Sequence, residues 1–361
     1  MSNSSVQSAY PGRVKGPVSG ALLTLAFAGI AFATWWFLQG TWLKLNALLW
    51  AFVYSVIATN IMPGLTNERF KAGIQFSSTS LLRLAIACLG LTVSASVWFK
   101  LGGVGLAAVL INLAFAFAMG TLLCRYVLKM DGALSLLIGV GTCICGASAI
   151  AATGPAIKAK SEEMAVSLAA VTLFGLLAMF GYPLLFQGPL SGWLQGNHLA
   201  YGIWSGMGIH ETAQVVAAAS QVSGAVGIAM SAKSIRIFMI GPMVFASLFL
   251  FRRFLNKTGG ANTVKLSIPW FAVVFVMLTL LNAGIERLPF AKEWASFDGS
   301  YVKPVVTFLL AWAFAGVGFQ GKASAIRSIG VKTFIGGIVV ALIAGGSALL
   351  LTKYLWLPFA S

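Results

Sequence analysis

The chain has 361 residues, of which 59% are hydrophobic and only 9% are Asp, Glu, Lys or Arg. Soluble domains carry roughly 25% charged residues, so this composition excludes a water-soluble fold. The formal net charge is +16, but the basic residues stand singly or in pairs between apolar runs. Membrane proteins mark their loops and contact anionic lipid headgroups in this way, so the lipid bilayer is expected as a partner and nucleic acid is not.

About eleven membrane-spanning helices are predicted, because a charge at the bilayer centre is costly and the long stretches between ionised residues therefore locate the spans. Residues 1–17 are expected to form a cytoplasmic tail and residues 18–361 a single polytopic membrane domain. The first apolar run is too long for the core of a typical signal peptide. The expected spans lie near 18–38, 43–61, 76–97, 101–124, 133–158, 162–186, 199–222, 231–252, 267–285, 303–320 and 331–352.

Two segments differ from plain lipid-facing helices. Residues 138–160 are dense in small side chains and include Gly154-Pro155, which interrupts the helical ladder, so a broken or re-entrant helix is expected there. Residues 313–330 have the same character and are the second expected break. Small residues also recur at identical spacing in two units of opposite predicted orientation, which favours the inverted repeat of secondary transporters: Gly90, Ala95, Ser96 and Gly102, and then Gly318, Ala323, Ser324 and Gly330.

Ionisable groups inside apolar spans are functional candidates, because they are costly unless they pair or line a cavity. Arg83 could bind a carboxylate, sulfonate or sulfate through parallel hydrogen bonds, or it could reach the inner headgroups. His210 and Glu211, with Gln214 expected on the same helix face, place a carboxylate beside an imidazole, a pair that can carry a proton. Alternatively, Glu211 pairs with Arg83 or Lys322 to hold helices together. A second histidine is missing from this motif, so no metal site is expected.

The glycine-rich segment around residues 142–148 is a candidate anion site. A half-helix that starts near Gly146 would aim backbone N–H groups and its positive end at an anion, with the hydroxyls of Thr142 and Ser148 nearby. Small residues also serve ordinary helix packing, which is the alternative. Lys233 and Arg236, a turn apart, are expected either to line a vestibule or to anchor their helix at the headgroups. The four cysteines lie in apolar runs and are expected to be free thiols.

Several blocks resemble, in chain order, the YeiH-like family of bacterial inner-membrane proteins, which are described as sulfate exporters. They include GTCICGASAIAATGPAIKAK, GIHETAQVVAAAS and SAKSIRIFMIGP, and the similarity extends from about Leu81 to about Leu351. The resemblance implies the fold of the bile acid, arsenite and riboflavin transporter group, with two inverted bundles and crossed broken helices. It also implies export of a small oxyanion or sulfonate. The family's RLGI arginine falls on Arg83, although this chain has Ala85 in place of the glycine.

The leading hypothesis is a secondary transporter, not an enzyme, that moves a small anion such as sulfate, sulfite or a sulfonate along an ion gradient. Glu211 and His210 suit proton coupling, whereas backbone carbonyls at the breaks near Gly154 and Gly318 would suit sodium. A passive anion channel and an intramembrane enzyme that uses His210 and Glu211 are the alternatives. No cofactor is expected, and a homo-oligomer remains open. The expected substrate-binding residues are Arg83, Thr142, Gly146, Ser148, His210, Glu211, Gln214 and Gln320.

Overall fold

A computed structural model describes residues 18–38, 46–93, 96–255, 270–321 and 329–359 of the protein. Within these ranges the chain is helical and has no β-strand. The expected cytoplasmic tail, residues 1–17, lies outside the described residues. The helices are α1 (Val18–Leu38), α2 (Ala47–Ile61), α3 (Glu68–Thr92), α4 (Ser96–Leu122), α5 (Gly132–Cys143), α6 (Ala147–Ala156), α7 (Ser161–Gln187), α8 (His198–Gly208), α9 (Thr212–Ala219), α10 (Ala225–Phe238), α11 (Ile240–Leu250), α12 (Trp270–Ile285), α13 (Ala291–Phe319) and α14 (Val331–Leu351).

Six helices in the described part of the chain are long and apolar enough to cross a membrane, namely α1, α3, α4, α7, α13 and α14. The pair α10 and α11, which is bent by 46°, adds a seventh if it counts as one span. The all-helical membrane fold is therefore confirmed, whereas the count of about eleven spans and the inverted repeat stay predictions. Ala95, Ala323 and Ser324 of that repeat lie outside the described residues.

Two helices begin earlier than the predicted spans, and each contains charged residues before the expected start. α3 begins at Glu68 and not near residue 76, since the side chain of Asn67 caps it by accepting a hydrogen bond from the Arg69 N–H at 3.1 Å. α13 begins at Ala291 and not near residue 303, and Asp298 and Lys303 form an ion pair of 2.9 Å along it. Charged residues that the sequence analysis assigned to loops are thus helical.

The second predicted break, residues 313–330, is described only in part: α13 ends within it at Phe319, and residues 322–328 lie outside the described residues. The expected span 199–222 is also divided, because Ile209 (φ −82°, ψ 141°) and Glu211 (φ −101°, ψ 147°) have extended backbones between α8 and α9. The expectation that His210 and Gln214 share one helix face is therefore wrong.

The chain divides into two compact units. The first contains α1, α2, the part of α3 up to Leu82, and the end of α13 from Phe308. Polar side chains join its helices: the hydroxyls of Thr24 and Ser77 lie 2.8 Å apart, and the Trp312 indole donates to Thr24 at 2.9 Å. These bonds satisfy polar groups that would otherwise be buried without partners.

The second unit contains the rest of α3, α4 to α12, the beginning of α13, and α14. In this unit α8 approaches α10 closely because small residues line the contact. A Cβ on Gly202 would lie 2.7 Å from the Ala225 carbonyl, and Gly206 faces the Ala229 carbonyl in the same way. This close approach brings Lys233 and Arg236 of α10 to the C-terminal end of α8.

Candidate functional site

Two interrupted helices meet at Glu211. The first break separates α5 from α6, where Gly146 adopts φ +50°, a conformation that favours glycine. A Cβ on Gly146 would lie 2.6 Å from Glu211 Oε1, so the Glu211 carboxylate lies against the start of α6. The predicted half-helix that starts near Gly146 is thus confirmed, whereas Pro155 lies inside the last turn of α6 and does not form the break.

The middle of α7 holds Glu211 in place. The Thr172 hydroxyl donates to Glu211 Oε1 at 3.2 Å, and the Thr172 carbonyl accepts from Gln214 Nε2 at 3.1 Å. Gln214 Oε1 in turn accepts from the Glu211 N–H at 3.2 Å. A Cβ on Gly175 would collide with this Gln214 amide, so the glycine makes room for it. The half-buried carboxylate is therefore fixed at the positive ends of both α6 and α9.

His210 faces α7 and not open space. Its Nδ1 lies 3.1 Å from the Val171 carbonyl, and because a carbonyl only accepts, Nδ1 carries the hydrogen. The ring is 1% exposed, and Nε2 is buried without a hydrogen-bond partner among the described residues. The imidazole is therefore positioned beside the break but shielded from a substrate.

Two buried cations bind the C-terminal ends of the interrupted helices. Lys233 and Arg236 are both 0% exposed. Lys233 Nζ donates to the Ile209 carbonyl at 2.9 Å and to the His210 carbonyl. The Arg236 guanidinium donates to backbone carbonyls of both breaks: Thr142 (2.6 Å), Cys143 (2.6 Å), Gly206 (3.0 Å), Met207 and Ile209 (3.2 Å).

These hydrogen bonds explain how the breaks are tolerated in a membrane protein. The last carbonyls of a helix have no partner within the helix, and the bilayer core offers no water to satisfy them. A cation at the C-terminal end also complements the helix dipole. The expected roles of Lys233 and Arg236, in a vestibule or at the headgroups, are both wrong, because each side chain is buried against backbone carbonyls. Their three-residue spacing, which places both on one face of α10, was the available signal.

The region where the two breaks meet at Glu211, here called the helix crossing, contains two basic side chains and one acidic side chain. If Lys233, Arg236 and Glu211 are all ionised, their charges sum to +1. The cations compensate the negative ends of α5 and α8, and the carboxylate compensates the positive ends of α6 and α9. An additional anion would therefore find a favourable potential here, and it would be more favourable still if Glu211 were protonated.

The remaining predicted site residues are divided between the two units. Thr142 is buried and Ser148 is half-buried in the first turn of α6, and both belong to the unit of Glu211. Gln320 belongs to the other unit, where its amide donates to Gln75 and Ser78. Arg83 is exposed, and no hydrogen bond or ion pair of its side chain occurs within the described ranges. The described contacts thus do not connect Arg83 to the crossing, and Glu211 bonds to Thr172 and not to Arg83.

Comparison with known proteins connects the chain to a group of membrane proteins. The family model described as Conserved hypothetical protein 698 matches residues 20–337. A UPF0324 membrane protein of Pseudomonas aeruginosa is 35% identical over 332 residues, which cover 90% of each chain. The UPF0324 inner membrane protein YeiH of Escherichia coli K12 is 32% identical over 313 residues, covering 84% of this chain and 85% of that protein. No solved structure matches the chain.

Proposed function

Since the chain belongs to the UPF0324 family of membrane proteins, we propose that this multi-pass inner-membrane protein is a secondary transporter of a small anion. The proposed substrates are sulfate, sulfite and simple sulfonates, moved along an ion gradient by alternating access. The observation that carries the proposal is the meeting of two interrupted helices at Glu211 beside two buried cations. Secondary transporters form their substrate and ion sites at interrupted helices of this kind.

The open face of α6 supports an anionic substrate. Ala147 and Ala151 are exposed and Ser148 is half-buried, so the first turns of this half-helix are accessible next to Glu211. Backbone N–H groups at a helix N-terminus and a serine hydroxyl are the donors that bind oxyanions. The positive charge of Lys233 and Arg236 adds to the attraction without direct contact, since both side chains are buried against backbone carbonyls.

Glu211 supports coupling to protons. Its carboxylate occupies the positive ends of α6 and α9, where an anionic substrate would also bind. Protonation removes the negative charge and weakens the attraction of Glu211 to the positive end of α6. Proton uptake and anion binding would therefore favour each other, which is the linkage that a proton-coupled carrier needs.

The burial of His210 argues against an enzyme. A general base must come within hydrogen-bond reach of the proton that it removes. His210 is 1% exposed and its Nδ1 is held by the Val171 carbonyl, so the imidazole does not reach a bound substrate. A transporter accounts for the arrangement and needs no catalytic residue.

Flux into proteoliposomes tests this function. We expect an imposed pH gradient to drive uptake of radiolabelled sulfate, sulfite or methanesulfonate, and external substrate to accelerate exchange. Such counterflow is the property that separates a carrier from a passive channel. Absence of flux for all three anions, under both a pH gradient and a sodium gradient, would refute the proposal.

A variant of the acid tests the coupling. Glu211→Gln keeps the Oε1 acceptor for Thr172 but cannot ionise, so gradient-driven uptake should fall by at least about tenfold while exchange persists. Glu162→Gln, a change of an exposed acid at the start of α7, is the matched control and should behave as the wild type. Undiminished pH-driven uptake by Glu211→Gln would exclude this carboxylate as the proton carrier.

A further inference from the structure

The backbone carbonyls at the two breaks are the groups that a coupling cation would use. In transporters with interrupted helices, unwound carbonyls and the C-terminal ends of half-helices coordinate sodium ions. Six such carbonyls gather where α5 and α8 end: Thr142, Cys143, Gly206, Met207, Ile209 and His210. By position and chemistry this cluster matches a site for an alkali cation.

Side chains of the protein already occupy this cluster. Arg236 binds five of the six carbonyls, Lys233 binds two, and Ile209 is shared between them. Both cations are 0% exposed, so the bonds are closed to solvent. The guanidinium remains charged under all physiological conditions. A sodium ion would therefore have to displace a covalently attached group and enter beside a permanent positive charge.

The other oxygen atoms near the crossing do not form a replacement shell. Gln214 Oε1 accepts from the Glu211 N–H, and the Thr172 carbonyl accepts from the Gln214 amide. The Glu211 carboxylate accepts a hydrogen bond from the Thr172 hydroxyl. Most oxygen atoms at the junction thus already accept a hydrogen bond and are not free to bind sodium. The Glu211 carboxylate can still take up a proton.

We propose that Lys233 and Arg236 are built-in cations in the positions that a coupling sodium ion would take, so that this protein works without sodium. The consequence for coupling rests on the proposed transport function. The occupancy of the carbonyl cluster by these two side chains does not depend on the transport function. Binding of sodium at the breaks can be measured through the thermal stability of the protein, without any flux.

Thermal unfolding of the purified full-length protein in NaCl, KCl or choline chloride of equal ionic strength tests the assignment. We expect the same Tm for the wild type in all three salts. Lys233→Ala should lose about 5 °C or more in choline chloride, because the Ile209 and His210 carbonyls lose their donor. Sodium should restore part of that loss, since it is small enough to enter the space that the ammonium leaves. Lys233→Met fills the space with apolar atoms and should be destabilised equally in every salt.

The same Tm measurement provides the control and the results that would contradict the proposal. Lys332→Ala removes an exposed lysine and should match the wild type. A sodium-specific rise in the wild-type Tm would overturn the proposal, and so would a Lys233→Ala protein that does not respond to sodium. If Lys233→Ala does not fold, the wild type and Lys233→Met decide the question. Absence of anion flux would refute the transport function but would leave these stability results intact.

Discussion

Replacement of Arg236 by methionine is the most direct test of how the two interrupted helices are held. Methionine has a similar length and helix propensity, so α10 itself should persist, but every hydrogen-bond donor of the side chain is lost. Five buried carbonyls would then lack this donor, at about 1–3 kcal/mol for each group left unsatisfied. The gain from no longer burying a charge offsets part of this cost. The Ile209 carbonyl keeps Lys233 as a donor, so four carbonyls lose their side-chain donor, and we take about 3–5 kcal/mol as the net effect.

Thermal unfolding in detergent measures this loss. An unfolding entropy of about 2.1 cal/mol/K per residue over 361 residues corresponds to about 1.3 °C for each kcal/mol, so Arg236→Met should lower the Tm by about 5 °C. Arg236→Lys keeps the charge but has only three donors, so its Tm should lie between those of Arg236→Met and the wild type. Arg83→Met makes the same substitution at an exposed position and should change the Tm by less than about 2 °C. A Tm for Arg236→Met as high as that of Arg83→Met would show that the carbonyls do not depend on this side chain.

Two glycines at the junction give further predictions. Gly146→Ala should abolish most anion exchange, because its Cβ would displace Glu211. It should also cost about 1–2 kcal/mol in stability, because the residue has φ +50°. Full exchange activity would contradict this prediction. Gly175→Ala should lower both the Tm and the uptake, since its Cβ would push Gln214 away from the Glu211 N–H. Gly181→Ala, where nothing lies within 4 Å of the added Cβ, is the control for both.

The sequence predicts the interruption at Gly146 well but carries no local signal for the break at residues 209–211. Gly146 has to adopt a positive φ, and a glycine in a run of small residues is a local signal for that conformation. The residues of the second break, Ile209 to Glu211, carry no such signal and fit a regular helix. What stabilises their extended backbone is a set of donors from Lys233 and Arg236, more than twenty residues away along the chain. Local patterns do not reveal an interruption that a distant side chain makes possible.

Local sequence and helix packing together explain which of the predicted site residues lie at the junction. Glu211 and Gln214 stand out because an acid and an amide are rare in apolar runs, and the structure places both at the junction. Arg83 has the same local appearance but lies on an exposed face, whereas Arg236 is fully buried. An arginine in an apolar run therefore indicates a functional candidate, but only the packing of its helix determines whether it contacts carbonyls, lipid or substrate.

The contacts of Arg236 also impose an order on the biosynthesis of the protein. The ends of α5 and α8 are synthesised before α10, so the carbonyls of Thr142, Cys143 and Met207 have no such donor when their helices first leave the ribosome. The two half-helix ends therefore cannot form these contacts until residue 236 has been synthesised. A single side chain then joins two segments of the membrane domain that were made earlier.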